Sequence, residues 1–253
     1  GYALANIWCY ALGVLGVSVA QPGTELVTAL LLAQGGLLAL SLILEEIAAG
    51  DGGTSTVVSV NNCPVCSILM AFANEDQKQR FLKPLARGEM LGAFCLTEPH
   101  VGSEAGGLRT TAVRDGDAYV LNGVKQFITS GQNGDVAVVM AVTDKVAGKK
   151  GISAFLVPTK TPGYVVARIE DKMGQHSSDT AQILFENCRV PAANRIADEG
   201  MGLKIALSGL EGGRIGIAAQ SVGMARAAFE VALAYSKERV AFGQPIFEHQ
   251  AVQ

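Results

Sequence analysis

The sequence predicts an α+β multidomain chain, with a helical domain first, a middle antiparallel β-barrel or sandwich domain, and then the start of a helical bundle. Three observations carry this prediction. Residues 37–47 form an apolar run without turn punctuation. From about residue 92 to residue 197, short β-rich runs alternate with turn dipeptides, and no helical segment separates them. After Gly200-Met201-Gly202 a spacing of three and four residues returns. The boundaries fall at 1–91, 92–197 and 198–253. A chain of 253 residues with 49% hydrophobic content can bury a large core.

In the first part, residues 26–44 are an uncharged run of 19, long enough to span a bilayer. Thr28, Gln34, Gly35, Gly36 and Ser41 interrupt it, and the first Lys or Arg is Lys78, so no basic anchor flanks it. It reads as a helix buried in a larger fold, with no membrane span and no basic-headed signal peptide. A loop is expected at Gly50-Asp51-Gly52-Gly53. The next helix starts at Asn74, with Gln77 as capping-box partner, and continues through Phe81, Leu82 and Leu85 to Gly88. The chain lacks an initial Met and ends at Gln253 without a capping signal, so both ends are expected to be cut.

In the middle part, Asp115-Gly116 marks one turn. Asn122-Gly123, between the strand segments 119–121 and 127–129, predicts a type I′ hairpin. Residues 136–142, 152–157, 164–167 and 183–185 are further strands. In the last part, Ile215, Ala219, Val222, Arg226, Phe229 and Leu233 share one helical stripe. Gly209, Gly212, Gly213, Gly216 and Gly223 each cost roughly 1 kcal/mol against Ala there, tolerable where another helix or a ligand comes close.

Several function classes fall away. A net charge of −3 and a pI near 5.7 leave no basic stripe for nucleic acid. Gly200-Met201-Gly202 lacks the third glycine of a dinucleotide fingerprint, and Gly148-Lys149-Lys150-Gly151 lacks the Ser or Thr of a phosphate loop. Five cysteines are too few for a disulfide scaffold. Cys63-Pro64-Val65-Cys66 reads as two buried small residues rather than a redox pair or half a zinc site. His100, His176 and His249 are too scattered for a metal cluster, and no metal is expected.

The chemistry sits in Phe94-Cys95-Leu96-Thr97-Glu98-Pro99-His100-Val101-Gly102-Ser103, where a strand runs into hydroxyls and a glycine. Such a loop can hold a polar ligand edge or a phosphate, although on its own a solvated turn is the default. The string resembles the first signature of the acyl-CoA dehydrogenase family. The resemblance continues in order through Gly123-Val124-Lys125-Gln126-Phe127-Ile128-Thr129 and Lys172-Met173-Gly174-Gln175-His176-Ser177-Ser178-Asp179-Thr180. It then runs through Gly209-Leu210-Glu211-Gly212-Gly213-Arg214 to Glu238-Arg239-Val240-Ala241-Phe242-Gly243-Gln244-Pro245 and on to Gln250. Short-chain members are the nearest in pattern.

The resemblance implies an FAD flavoprotein that removes an α-proton and a β-hydride from an acyl-CoA, giving a trans-2-enoyl-CoA. Electrons would pass to an electron-transfer flavoprotein, and the protein would be a homotetramer of fatty acid β-oxidation in a bacterial cytoplasm or a mitochondrial matrix. Phe94, Cys95, Leu96, Thr97, Gly102 and Ser103 would line the flavin, with Phe127, Ile128 and Thr129 packed on it. Arg239, Phe242 and Gln250 would reach the FAD of a neighbouring subunit. Ser103, Glu211 and Arg214 would meet the substrate.

An acyl-CoA oxidase or flavin monooxygenase of the same fold, or a non-catalytic binding homologue, stays open. No catalytic residue is assigned. The position just before Arg214, which serves as base in a minority of the family, is Gly213, and Glu211 points elsewhere on a helix. The base is expected outside these residues, leaving them inactive alone. The family's Leu-Gly-Leu-Gly-Val segment is matched at residues 12–19, its following Pro-Glu loop is not recognisable, and His100 stands where a small residue is common.

Overall fold

A computed structural model describes residues 24–253, with side chains described from Gly35 onward. Cys9 and the match at residues 12–19 lie outside the described residues. Helix α1 (Thr24–Gly50) and helix α2 (Gly52–Val60) are separated by Asp51 alone, which is extended and accepts a hydrogen bond from the Thr54 amide at 2.6 Å. The loop expected at residues 50–53 is thus a one-residue cap. Glycine suits positions 52 and 53 of this helix because the neighbours are close: a Cβ on them would lie 2.5 Å from Met224 Sδ and 2.2 Å from Ser177 Oγ.

Beyond α2 the helix is distorted over Asn61–Cys66, where Cys63 leaves helical geometry ahead of Pro64, and it resumes as α3 (Ser67–Phe72). Cys63 and Cys66 are both buried, as the sequence suggested. Residues 52–72 are long and apolar enough to cross a membrane, but 67% of the most apolar 18-residue window within them is buried in the fold.

The capping box holds at α4 (Glu75–Gln77): the Asn74 amide donates to Gln77 Oε1 at 3.1 Å, and the Gln77 amide to Asn74 Oδ1 at 2.9 Å. Gln77 Nε2 also donates to the carbonyls of Ala193 and Arg195, tying this turn to the β domain. Helix α5 (Lys83–Arg87) then ends on Gly88 at φ +73.

Eight strands follow: β1 (Gly92–Cys95), β2 (Thr111–Asp115), β3 (Ala118–Thr129), β4 (Val136–Val142), β5 (Ile152–Pro158), β6 (Tyr164–Ile169), β7 (Thr180–Pro191) and β8 (Arg195–Ile196). They form one sheet in the order β6-β7-β3-β2-β4-β5-β8, with β1 added beside β4. Pairing is antiparallel except that β1 runs parallel to β4 and β2 meets β4 in parallel at Thr111 and Val142. Strand alternation in β4 sends Val138 and Met140 towards Leu69, Leu85 and Ile205 of the helices, and Ala137 and Val139 towards Tyr119, Phe155 and Phe185 inside the β domain. Both faces are buried, so β4 is a continuous apolar run and β5 is one apart from Ser153, whose hydroxyl is hydrogen-bonded.

The expected hairpin at Asn122-Gly123 is absent. Strand β3 runs straight through it, with a register shift against β7 between Leu121 and Gly123. Gly123 sits at φ +151, and a Cβ there would lie 2.6 Å from the Thr110 Cα. The dipeptide therefore marks a bulge with close backbone approach. The turn between β2 and β3 expected at Asp115-Gly116 falls one residue later, at Gly116-Asp117, with Gly116 at φ +60 and Asp115 still paired to Ala118.

Helix α6 (Gly202–Glu238) crosses α1. Its period was legible, but the packed face is not the apolar stripe. Ile215, Val222 and Phe229 are 47%, 56% and 66% exposed, whereas Gly209, Gly216, Gln220 and Gly223 are buried. Removing side chains lets the helix backbones approach, so the glycines define the contact. Arg226 clamps it with 2.8 Å bonds to both carboxylate oxygens of Glu46. A small hairpin, β9 (Val240–Ala241) and β10 (Gln244–Pro245), follows.

Candidate cofactor and substrate site

Where the three parts meet there is a cleft of about 540 Å³, bounded by α2 and the distorted turn after it, by β1, by β3 and by α6. Strand alternation places Phe94 and Leu96 on its wall and turns Cys95 into the core of the β domain, fully buried. Cys95 is thus separated from the residues with which the motif groups it. Burial also pushes its thiol up to about 12. Thr97 and Gly102 continue the wall, and Phe127, Ile128 and Thr129 form the facing edge.

Phe127 reaches the cleft through a second bulge. Between Lys125 and Ile128, β3 uses three steps where β7 uses two. Phe127 consequently stands at φ +59 and is 62% exposed. A bulky residue in that region is strained by roughly 1–3 kcal/mol, and such strain concentrates at functional sites.

A buried ion pair joins the two wall segments, and sequence reasoning missed it. Lys125 is fully buried; its Nζ donates to Glu98 Oε1 at 2.8 Å and to the Leu96 carbonyl at 3.1 Å. Glu98 also accepts from the Arg109 and Thr110 amides, at 2.8 and 3.0 Å. Burial raises the Glu98 carboxyl, but the Lys125 charge and these hydrogen bonds outweigh it and hold the group below its ordinary value. Burial also draws the Lys125 ammonium down, against the opposing pull of Glu98. The available signal was one acidic residue in the first motif string and one lysine in the second, with no other Asp, Glu, Lys or Arg in either. His100 lies beside this network, 3.7 Å from Glu98 Oε2.

On the helical side the cleft is closed by Leu210, Gly213, Arg214 and Ile217. Glu211, expected to meet the substrate, is exposed and does not line this cleft, because it lies two positions from Gly213 and points to another side of the helix. Ser103 is exposed on the loop after Gly102 and does not line the cleft. A neighbouring cleft of about 510 Å³ shares Thr129 and is edged by Thr56, Lys172, Gln175, Ser178 and Thr180.

Arg239, Phe242 and Gln250 are not brought to this place. Arg239 follows Arg214 by 25 positions, about 37 Å along a helix. Phe242 projects from the β9–β10 turn, 98% exposed at φ +54, and Gln250 is exposed nearby. Among the described residues no group of three or more His, Cys, Asp or Glu could hold a metal ion. His176 is exposed.

Helices, a β domain and a long helix meeting at one cleft, apolar-walled with a few hydroxyls and an arginine, define a class of three-part α–β–α proteins. Sequence profiles assign it: the acyl-CoA dehydrogenase N-terminal, middle and C-terminal domains match residues 10–89, 93–188 and 200–253. The chain belongs to the acyl-CoA dehydrogenase family. It is 44% identical over 216 residues to the short-chain specific acyl-CoA dehydrogenase, mitochondrial, of Rattus norvegicus, covering 85% of this chain and 52% of that protein. It thus spans about half the length of that relative. Its fold matches butyryl-CoA dehydrogenase from Megasphaera elsdenii with a TM-score of 0.86 at 40% identity, over 99% of this chain and 63% of that one. A Mycobacterium smegmatis glutaryl-CoA dehydrogenase in complex with FADH2 matches with a TM-score of 0.80 at 35% identity, over 100% and 62%.

Proposed function

We propose that the chain is the flavin-holding part of an FAD-dependent acyl-CoA dehydrogenase that converts a short acyl-CoA to a trans-2-enoyl-CoA and passes electrons to an electron-transfer flavoprotein. The observation that carries this reading is the strained, outward-turned Phe127 facing an apolar wall across an open cleft. Its residues suit a flat ring system with a polar rim. Phe127 and Ile128 supply faces, Thr97 and Thr129 supply hydroxyls at the edge, and Gly102 and Gly213 leave room. Bound FAD supplies the two-electron acceptor. Phe94 and Leu96 exclude water beside it, and Arg214 supplies positive charge from the helical side.

No carboxylate lines the cleft among the described residues, so none of them is assigned as the base that takes the α-proton. Arg239, Phe242 and Gln250, too distant to serve their own cleft, serve that of a neighbouring subunit in a homotetramer. Arg239 suits a pyrophosphate because its planar fork binds phosphate oxygens in pairs. A bacterial cytoplasm or a mitochondrial matrix suits this chemistry. The full-length protein should purify yellow and bleach anaerobically with butyryl-CoA. Absence of bleaching with every acyl-CoA tried would overturn the reading, and stoichiometric peroxide in air would reassign it as an oxidase.

A further inference from the structure

We propose that the Glu98–Lys125 pair is a positioning device that sets Thr97 and Phe127 at their separation across the cofactor cleft. The proposal rests on the flavin reading above. Lys125 Nζ bonds the residues on both sides of Thr97: the Leu96 carbonyl before it and the Glu98 carboxylate after it. The Thr97 carbonyl itself accepts from the amide of Gln126, at 2.8 Å, and the next residue is Phe127. Two segments from different motifs are thereby fixed to each other immediately behind the two side chains that face the cleft.

The surrounding groups complete the lock. The Glu98 carboxylate accepts from the Arg109 and Thr110 amides, so the loop after Thr97 is held on its far side too. The Gln126 side chain donates to Glu170, just past β6, and accepts from Gln182 of β7, fixing the bulge laterally. A buried ion pair is weak evidence for net stability, because desolvation of both charges opposes their attraction. What it does supply is geometry. Moving either charge leaves the other uncompensated, so only one relative placement of loop and bulge is acceptable. A ligand site built on two separate segments needs that restraint, since misplacement by about 1 Å erodes binding and chemistry.

The test uses the full-length protein, its apo form, and three variants: Lys125→Met, Lys125→Arg and the double Glu98→Gln/Lys125→Met. FAD affinity is read by flavin fluorescence, the flavin environment by the shape of its visible band, and folding by thermal melting of the apoprotein. Lys125→Met should lower both melting temperature and FAD affinity, the latter by about tenfold, the equivalent of one neutral hydrogen bond. The double variant, with no buried charge left, should recover melting temperature but retain the weak affinity and altered band. Lys125→Arg should restore part of the affinity. A double variant that binds FAD with wild-type affinity and band shape overturns the proposal. Failure of both methionine-bearing variants to fold overturns it too, since the pair would then serve the fold as a whole. Absence of FAD binding by the unmutated protein would instead sink the flavin reading, and is recognised before any variant is made.

Discussion

Gly223 of α6 lies directly on the Glu45 backbone of α1: a Cβ added at Gly223 would fall 2.1 Å from the Glu45 carbonyl oxygen. Backbone cannot move aside as a flexible side chain can, so Gly223→Ala must part the helices. It should destabilise the protein by about 1–3 kcal/mol, despite the better helix propensity of Ala. Gly35→Ala in α1 is the control. Nothing lies within 4 Å of its added Cβ, so it should stabilise by about 0.5–1 kcal/mol. Urea denaturation of the two variants should move the midpoint in opposite directions. A neutral Gly223→Ala would show that the helices are not in backbone contact.

That contact also explains what could be read from the sequence. The Asn74–Gln77 box was legible because its partners are three residues apart and the motif is local. In α6 both the period and the role of the glycines are legible, because Gly209, Gly216 and Gly223 are costly in a helix unless a neighbour comes close; that the neighbour at Gly223 is the Glu45 backbone of α1 is a tertiary fact. Asn122-Gly123 fits a tight turn and a bulge equally well, and the nearness of Thr110, a tertiary fact, decided for the bulge. The same holds for the site. Motif strings located Phe94, Leu96, Thr97, Phe127 and Arg214 around one cleft, whereas the alternation that removes Cys95 follows from strand direction. The Glu98–Lys125 bond, across 27 residues, was hidden because nothing in either string names its partner.

The thiols of Cys95 and Cys188 are held in their neutral form. Burial pushes Cys95 to about 12 and Cys188 to about 11, so near pH 8 the nucleophilic thiolate is scarce. Iodoacetamide on the native protein should leave both unmodified in peptide mapping, and both should react fully in urea. Rapid native labelling of Cys95 would show that β1 is open to solvent.

Acid stability should depend on Glu98. Its folded-state carboxyl lies below the ordinary 4.5, so its contribution is present above that value and is lost as pH falls through the folded value. Stability of the wild type should therefore fall more steeply on acidification below about pH 5 than that of Glu98→Gln/Lys125→Met, which has no such group to protonate. Denaturant midpoints at several pH values would measure both slopes, and equal slopes would remove Glu98 from the account.

Phe127 separates fold from function most sharply. At φ +59 it carries backbone strain that glycine would not, and at 62% exposure its ring contributes little burial. Phe127→Gly should therefore leave the apoprotein as stable as the wild type, or more stable by about 1 kcal/mol. The same change removes the aromatic face from the cleft, so FAD affinity should fall by about tenfold or more. Phe127→Trp keeps a flat face and adds an N–H, and should hold FAD at least as well as the wild type. The pairing of unchanged melting temperature with lost flavin is the informative result. A Phe127→Gly protein that unfolds would mean the ring is packed against the protein, and one that keeps its flavin would mean the ring is not the cofactor's wall.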